Sequence, residues 1–357
     1  MNKITLSMMK SFTQSVDMPM AFTGLCQAPA ENYYKTEAFT LDFWGDTNEI
    51  APVVTDLKDG NNKFSIEDFL NKEFKAPAML DEFTVSTFKL LERAMGKNTF
   101  EDPNAMASLT SLFKTHMRVG SDRQRRTVEY MVAQMLQTGK IILNDADGNP
   151  AYEIDFQQKT SHLPTLATAW TDSENATPFS DLENMGDLIV TDGHKQPTRI
   201  MMSQQAYYAL SRTKEYLDMA DNRRVNIVKD TSAPKIDGMM YKGTLDLVAY
   251  TLHMYVYTGE VTIAGTAKRL MNSGSVIMTT DNPRIDLTFG DIPLVVKPDS
   301  RVSFLSGRAK IQSRLMDIHT NAWVSQDGRH VSGFVGSRPL PILTAKNEIV
   351  CADCGAV

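Results

Sequence analysis

The sequence predicts an α+β protein built around one long helix, on three observations. A helical pattern runs without interruption from Pro103 to Thr138, strand patterns flank it on both sides, and from Asp181 onward helices and strands alternate. At about 1.5 Å per residue that helix would span roughly 54 Å. It carries neither a heptad over its whole length nor a membrane-grade apolar run, which suits a flat, extended building block better than a compact enzyme.

Residues 1 to 35 show no sustained period and read as an arm that needs a partner to become ordered. Phe39, Leu41 and Phe43 alternate with Thr40 and Asp42, a strand signal, and Ile50 to Val54 continues it after a turn at Gly45 to Thr47. Asp56 to Lys63 is a polar loop tip, and Phe74 to Leu80 is the expected return strand, with Pro77 arguing for an edge. Residues 36 to 80 therefore read as a long projecting hairpin. Phe83 to Met95 is expected to be a short amphipathic helix ending at Gly96.

For the long helix, Asp102 can cap the first amides, Pro103 suits the first helical position, and Gly139 followed by Lys140 suits the end. Met106, Leu109, Leu112, Phe113 and Met117, then Val128, Met131, Val132, Met135 and Leu136, form one apolar face. Gly120, Ser121 and Asp122 interrupt the middle, so a bend or a break into two helices stays open. Arg118, Arg123, Arg125 and Arg126 put more positive charge on or beside the helix than one solvated face needs.

Two strands follow at Lys140 to Leu143 and Ala151 to Phe156, with Tyr152, Ile154 and Phe156 on one face. The loop between them, Asn144 to Pro150, is superficially like a calcium loop. Counted from Asp145, however, Pro150 falls at the glycine position and Phe156 at the bidentate glutamate, so it is a turn. A helix begins in Asp181 to Gly186, Arg199 to Met202 is a short buried strand, and Ser203 caps a helix through Ala206 and Leu210. Leu245 to Tyr257, Ser275 to Thr279, Leu294 to Val296 and Ile349 to Cys351 are strand-like.

With 357 residues, a net charge of -6 and no Lys/Arg run longer than Arg125-Arg126, the chain lacks the footprint of a tight nucleic-acid binder. The cysteines, Cys26, Cys351 and Cys354, are too few for a disulfide framework. Cys351 and Cys354 have metal spacing but no second ligand pair, so no metal site is expected. The 21 methionines read as adaptable core filler. No phosphate loop, dinucleotide turn, zinc helix or nucleophile elbow occurs, and the histidines His116, His162, His194, His253, His319 and His330 are scattered. No catalytic residue and no cofactor are expected.

The order of parts is similar to that of the lambda-type major capsid proteins of tailed bacteriophages. The stretch from Arg126 to Lys140, RTVEYMVAQMLQTGK, resembles that family's spine-helix end. Pro178 to Asp181, Pro197 to Ser203 and Arg338-Pro339-Leu340-Pro341 match in order, and the resemblance covers about residues 36 to 350. It implies the Hong Kong 97-type capsid fold: an N-terminal arm (1–35), an extended loop with the short helix (36–102), a peripheral domain with the spine helix (103–177), an axial domain (178–300) and a return to the peripheral domain (301–357). It implies hexamers and pentamers in an icosahedral virion shell around double-stranded DNA, assembled in the host bacterial cytoplasm. Portal, scaffolding and decoration proteins would be its partners, with no membrane involved. The short leader implies a separate scaffolding protein. The extended loop would lie over an adjacent subunit, which makes Phe39, Leu41 and Phe43 candidate inter-subunit contacts. Arg118, Arg123, Arg125 and Arg126 are candidates to meet a neighbour's carboxylates. An encapsulin-like compartment is the alternative shell, and an enzyme with an unrecognised site in 178–300 is the alternative of another class.

Overall fold

The computed structural model describes residues 21–27, 33–34, 38–44, 69–86, 105–144, 149–221, 225–226, 238–263, 265–292, 294–296, 310–312, 317–325 and 329–356. In chain order, β1 (Tyr33–Tyr34), β2 (Ala38–Trp44), β3 (Phe69–Lys75) and β4 (Met79–Ser86) precede the long helix α1 (Ala105–Thr138). Then come β5 (Lys140–Asn144), β6 (Pro150–Asp155), α2 (Pro178–Gly193), β7 (Arg199–Ser203), α3 (Gln204–Arg212), α4 (Lys214–Asp221) and β8 (Val225–Asn226). The strands that follow are β9 (Met240–Asp246), β10 (Thr251–Tyr257), β11 (Glu260–Ile263), β12 (Thr266–Arg269), β13 (Ser275–Thr279) and β14 (Ile285–Gly290), then β15 (Leu294–Val296), β16 (Lys310–Gln312), β17 (His319–Val324), β18 (His330–Ser337), β19 (Pro339–Leu343) and β20 (Ile349–Asp353), the last preceded by a 3-10 turn at Lys346–Glu348.

Helix α1 is one unbroken element of 34 residues, about 51 Å long. It does not break at Gly120, because that glycine serves packing. A Cβ there would stand 3.0 Å from a methyl of Val335 on β18, so its absence lets the helix lie close to the strand. The helix stops at Gly139, whose φ of +66° favours glycine and whose N–H donates to the Met135 carbonyl at 2.9 Å. The expected cap Asp102 and Pro103, the continuation Ile50 to Val54, the tip Asp56 to Lys63 and most of the calcium-like loop lie outside the described residues.

The centre is a six-stranded sheet in the order β20-β13-β7-β10-β9-β8, with β7 and β10 parallel and the other pairs antiparallel. At β20, β13, β7 and β10 both faces are buried, so these strands read as largely apolar runs. One face, with Met201, Tyr255, Ile277 and Cys351, packs with Met131, Val132, Met135 and Leu136 of α1. The other, with Ile200, Met202, Met254, Val276 and Val350, packs against α2, α3 and α4 through Leu182, Met185, Ala206 and Leu210. Methionines fill both layers, as their composition suggested. Ser203 caps α3 as expected, its hydroxyl accepting from the Ala206 N–H at 3.0 Å.

A smaller sheet, β17-β18-β4, carries the first half of α1 through Val85, Phe113, Met117 and Val335. A third sheet, β1-β14-β19, closes the far side, and its edge position lets β19 tolerate Pro339 and Pro341.

Three expectations need correction. The hairpin's return strand is Phe69–Lys75, not Phe74 to Leu80; Ala76 to Ala78 separate it from β4, which turns away to pair with β18. Phe83 to Ser86 begins no helix: it is the end of β4, where Phe83 and Val85 face α1 and Val331 pairs with Val85 in the ladder; residues 87–95 of that expected helix lie outside the described residues. Leu245 to Tyr257 is the end of β9, a turn from Leu247 to Tyr250 and then β10, an antiparallel hairpin. In the closing segment, β18 joins the sheet under the first half of α1, and β20 pairs with β13 at one edge of the six-stranded sheet.

Candidate assembly surfaces

Of the buried polar side chains of α1, three tie the helix to different parts of the chain. Gln124 donates from Nε2 to Asp81 Oδ2 of β4 at 3.0 Å. Gln137 donates from Nε2 to the carbonyls of Ala133 and Leu270 and accepts at Oε1 from the Asn272 N–H and the Ser275 hydroxyl, all at 2.8–2.9 Å. Glu129, 4% exposed, accepts the backbone N–H groups of Phe22 and Thr23 at 2.8 Å and the Thr23 hydroxyl at 2.7 Å. The Tyr257 hydroxyl of β10 donates to it at 3.3 Å. No cation pairs with Glu129 among the described residues. A carboxylate removed from water is costly, and hydrogen bonds to a charged group return about 1.5–3 kcal/mol each.

This arrangement corrects the reading of the arm. Residues 21–27 are held by the chain itself: Phe22 is fully buried, edge-on to the Tyr257 ring at 4.8 Å, and Gln27 bridges in parallel to Asp286. Tyr33 and Tyr34 pair in parallel with β14. Sequence reasoning passed over Glu129 and Gln137, though each left a signal, a polar residue set in or beside the apolar stripe that ends with Met131, Val132, Met135 and Leu136.

Of the basic residues singled out in the sequence, Arg118 and Arg123 form ion pairs in their own chain. Arg118 pairs with Asp122 at 3.9 Å, one helical turn on, and Arg123 reaches Asp81 at 3.4 Å. Both guanidinium groups are largely solvated, so each pair contributes about 0–1 kcal/mol. Arg125 is half-buried and Arg126 exposed, the latter without an ion pair among the described residues. Lys114, His116 and Val119 extend the exposed face N-terminally.

Phe39, Leu41 and Phe43 lie on β2, where the ladder sets them opposite Phe74, Lys72 and Leu70 of β3. This two-stranded sheet pairs with no other strand among the described residues. Its base is anchored: the Tyr152 hydroxyl donates to the Lys75 carbonyl, and Arg338 Nη2 donates to the Ala76 carbonyl at 3.1 Å. Elsewhere on the surface, Val248 at the β9–β10 turn, Leu217 on α4, and Leu80 and Trp323 on the β17-β18-β4 sheet are exposed.

The buried titratable groups serve packing. His162 is enclosed, Nδ1 2.9 Å from the Ile349 carbonyl and Nε2 2.8 Å from Asp192 Oδ2, and that contact is the main reason the Asp192 carboxyl is held below its ordinary range. Cys351 lines a polar cavity of about 310 Å³ with Gln137, Ser275 and Asp353, but burial pushes its thiol up to about 12. Burial likewise pushes Cys354 up to about 11, so neither is an activated nucleophile. Among the described residues no group of three or more His, Cys, Asp or Glu could hold a metal ion.

The whole arrangement is shared with a structure assigned as the capsid protein of a prophage of Escherichia coli CFT073: TM-score 0.61 at 16% identity, covering 98% of each chain. A phage-related protein of Bordetella bronchiseptica RB50 matches with TM-score 0.49 at 12% identity over 99% of this chain and 97% of its own. A chain from Gordonia phage Cozz matches with TM-score 0.46 at 12% identity over 95% and 88%. The fold is thus that of the Hong Kong 97-type capsid proteins, a class of shell-building subunits. Residues 6–353 match the family of phage major capsid protein E, and the chain belongs to that family. No curated protein sequence matches it.

Proposed function

We propose that this major capsid protein assembles as hexamers and pentamers into the icosahedral head of a tailed phage, enclosing double-stranded DNA. The family match over residues 6–353 carries this reading. The protein acts without catalytic turnover. It assembles in the host cytoplasm, with portal and scaffolding proteins and a decoration protein as partners. In this reading the subunit divides into arm, extended loop, peripheral and axial parts at 1–35, 36–102, 103–177 with 301–357, and 178–300. The net charge of -6 suits a container that DNA enters and leaves without sticking.

In this reading β2 and β3 lie on a neighbouring subunit, since a lone two-stranded hairpin is marginal in water. Arg126 faces a neighbour's carboxylates, while Arg118, Arg123 and Arg125 have contacts within the chain. Electron microscopy of the purified protein should show closed icosahedral shells, and virions should hold nuclease-protected DNA within them. Non-assembling monomers, or shells that package an enzyme in place of DNA, would refute the reading. Trp44 stands opposite Phe69 in the ladder, so replacing residues 45–68 by a tight turn can preserve the register. That variant should keep the thermal unfolding of the subunit and weaken its shells.

A further inference from the structure

We infer that Glu129 is a latch that couples docking of the arm segment 21–27 to the seating of α1 on the six-stranded sheet. Three parts of the chain meet at this one carboxylate: the arm through Phe22 and Thr23, the helix through Glu129 itself, and the sheet through Tyr257. Three of its four donors come from the arm. With the arm lifted, Glu129 keeps only the longest contact, to Tyr257, and stays in a site built to exclude water. The unmatched charge then favours drawing the helix away from β10, so the arm and the helix–sheet contact loosen together. With the arm down, the carboxylate caps the short turn Thr23–Leu25 and all four donors are matched.

The surroundings are shaped for this one use. A side chain at Gly259 would run into the Tyr257 hydroxyl, so glycine keeps open the space from which that hydroxyl reaches Glu129. Burial first, and then the Glu129 charge, raises the Tyr257 phenol well above its ordinary range, which keeps it a donor. Cys26, one turn beyond Phe22, points its thiol to the Phe22 carbonyl at 3.7 Å and is held protonated by burial and by the same carboxylate. The arm is therefore a strap whose state the long helix senses, independent of how the shell is built.

Coupling is reciprocal, and that makes it testable on the full-length chain by hydrogen exchange. Glu129→Gln keeps the shape but turns an acceptor into a donor facing an N–H. Exchange of amides 22–27 should then accelerate by about tenfold or more, while β7 and β13 stay protected. In the other direction, Phe22→Ala leaves Glu129 in place, yet exchange at 127–133 and in β10 should accelerate as well. Thr23→Val, which removes a single donor, should give a smaller change at both places. If Phe22→Ala loosens the arm and leaves 127–133 and β10 unchanged, the arm is passive cover and the latch is wrong. Unchanged arm exchange in Glu129→Gln and Thr23→Val would overturn it equally. Should Glu129→Gln fail to fold, the Thr23→Val and Phe22→Ala pair decides alone.

Discussion

From Val128 to Leu136 the long helix is enclosed by the largest core of the molecule, with the six-stranded sheet, the arm and β19 around it. From Phe113 to Gln124 it rests, among the described residues, on the three-stranded sheet, through a cluster whose fully buried members are Val85, Phe113, Met117 and Val335. One helix thus has an end embedded in a trunk and an end lying along a limb. The difference shows where the subunit stores its stability and where it can yield: the trunk resists, and the limb adapts to whatever it meets.

The largest effect should separate the two ends. Leu136→Ala removes a side chain surrounded on all sides, and Met117→Ala removes one whose neighbours Phe83, Ile318, Ala322 and Val331 are only partly buried. Costs for Leu or Met to Ala run about 2–5 kcal/mol, rising with the cavity that remains. Leu136→Ala belongs near the upper end and Met117→Ala near the lower, because the thin limb can collapse onto the void. Denaturant unfolding of both variants would measure this, and equal costs would erase the distinction between trunk and limb.

A smaller effect tests how β20 is tied to the trunk. Asp192 on α2 takes its hydrogen bond from His162, which also contacts Ile349 at the start of β20, and Lys159 adds an ion pair at 3.0 Å. Its carboxyl is therefore held below the ordinary value of 3.8. A depressed carboxyl contributes stability above its unfolded value, and that contribution is lost as pH falls through the folded one. Asp192→Asn should cost about 1–2 kcal/mol at pH 7. The gap to the natural protein should close below about pH 4. A gap of the same size at pH 7 and pH 3 would mean that the charge is not what ties these elements.

What could be read in the sequence follows the same division. Ser275 to Thr279, Arg199 to Met202 and the Ser203 cap were legible because a doubly buried strand and a capped helix are written locally. The limb departs from expectation at Phe83, where an amphipathic pattern looks like a helix start until β18 supplies its partner, a contact across about 250 residues. Val248 looked like strand interior, yet the turn at Leu247 to Tyr250 exposes it. Strand β2 was legible by alternation. Glu129 was not, since nothing local says that Phe22 will come to it from 107 residues away.

The smallest effect, and the sharpest test of the limb, is at Gly120. In an ordinary helix interior, glycine costs about 1 kcal/mol relative to alanine, so Gly120→Ala would normally stabilise. Here the new Cβ would meet Val335 Cγ2 at 3.0 Å and Cβ at 3.3 Å, closer than the roughly 3.5–4.0 Å of a comfortable carbon contact. Val335 is fully buried and β-branched, with one favoured rotamer and no room to swing. The clash should offset the propensity gain and leave a net loss of about 0–1 kcal/mol. Removing the obstacle should reverse the sign: in a Val335→Ala background, Gly120→Ala should stabilise by about 1 kcal/mol. A double-mutant cycle by denaturant unfolding reads that coupling directly. If Gly120→Ala stabilises equally in both backgrounds, the glycine does not bring the helix against β18, and the limb is packed more loosely than its geometry states.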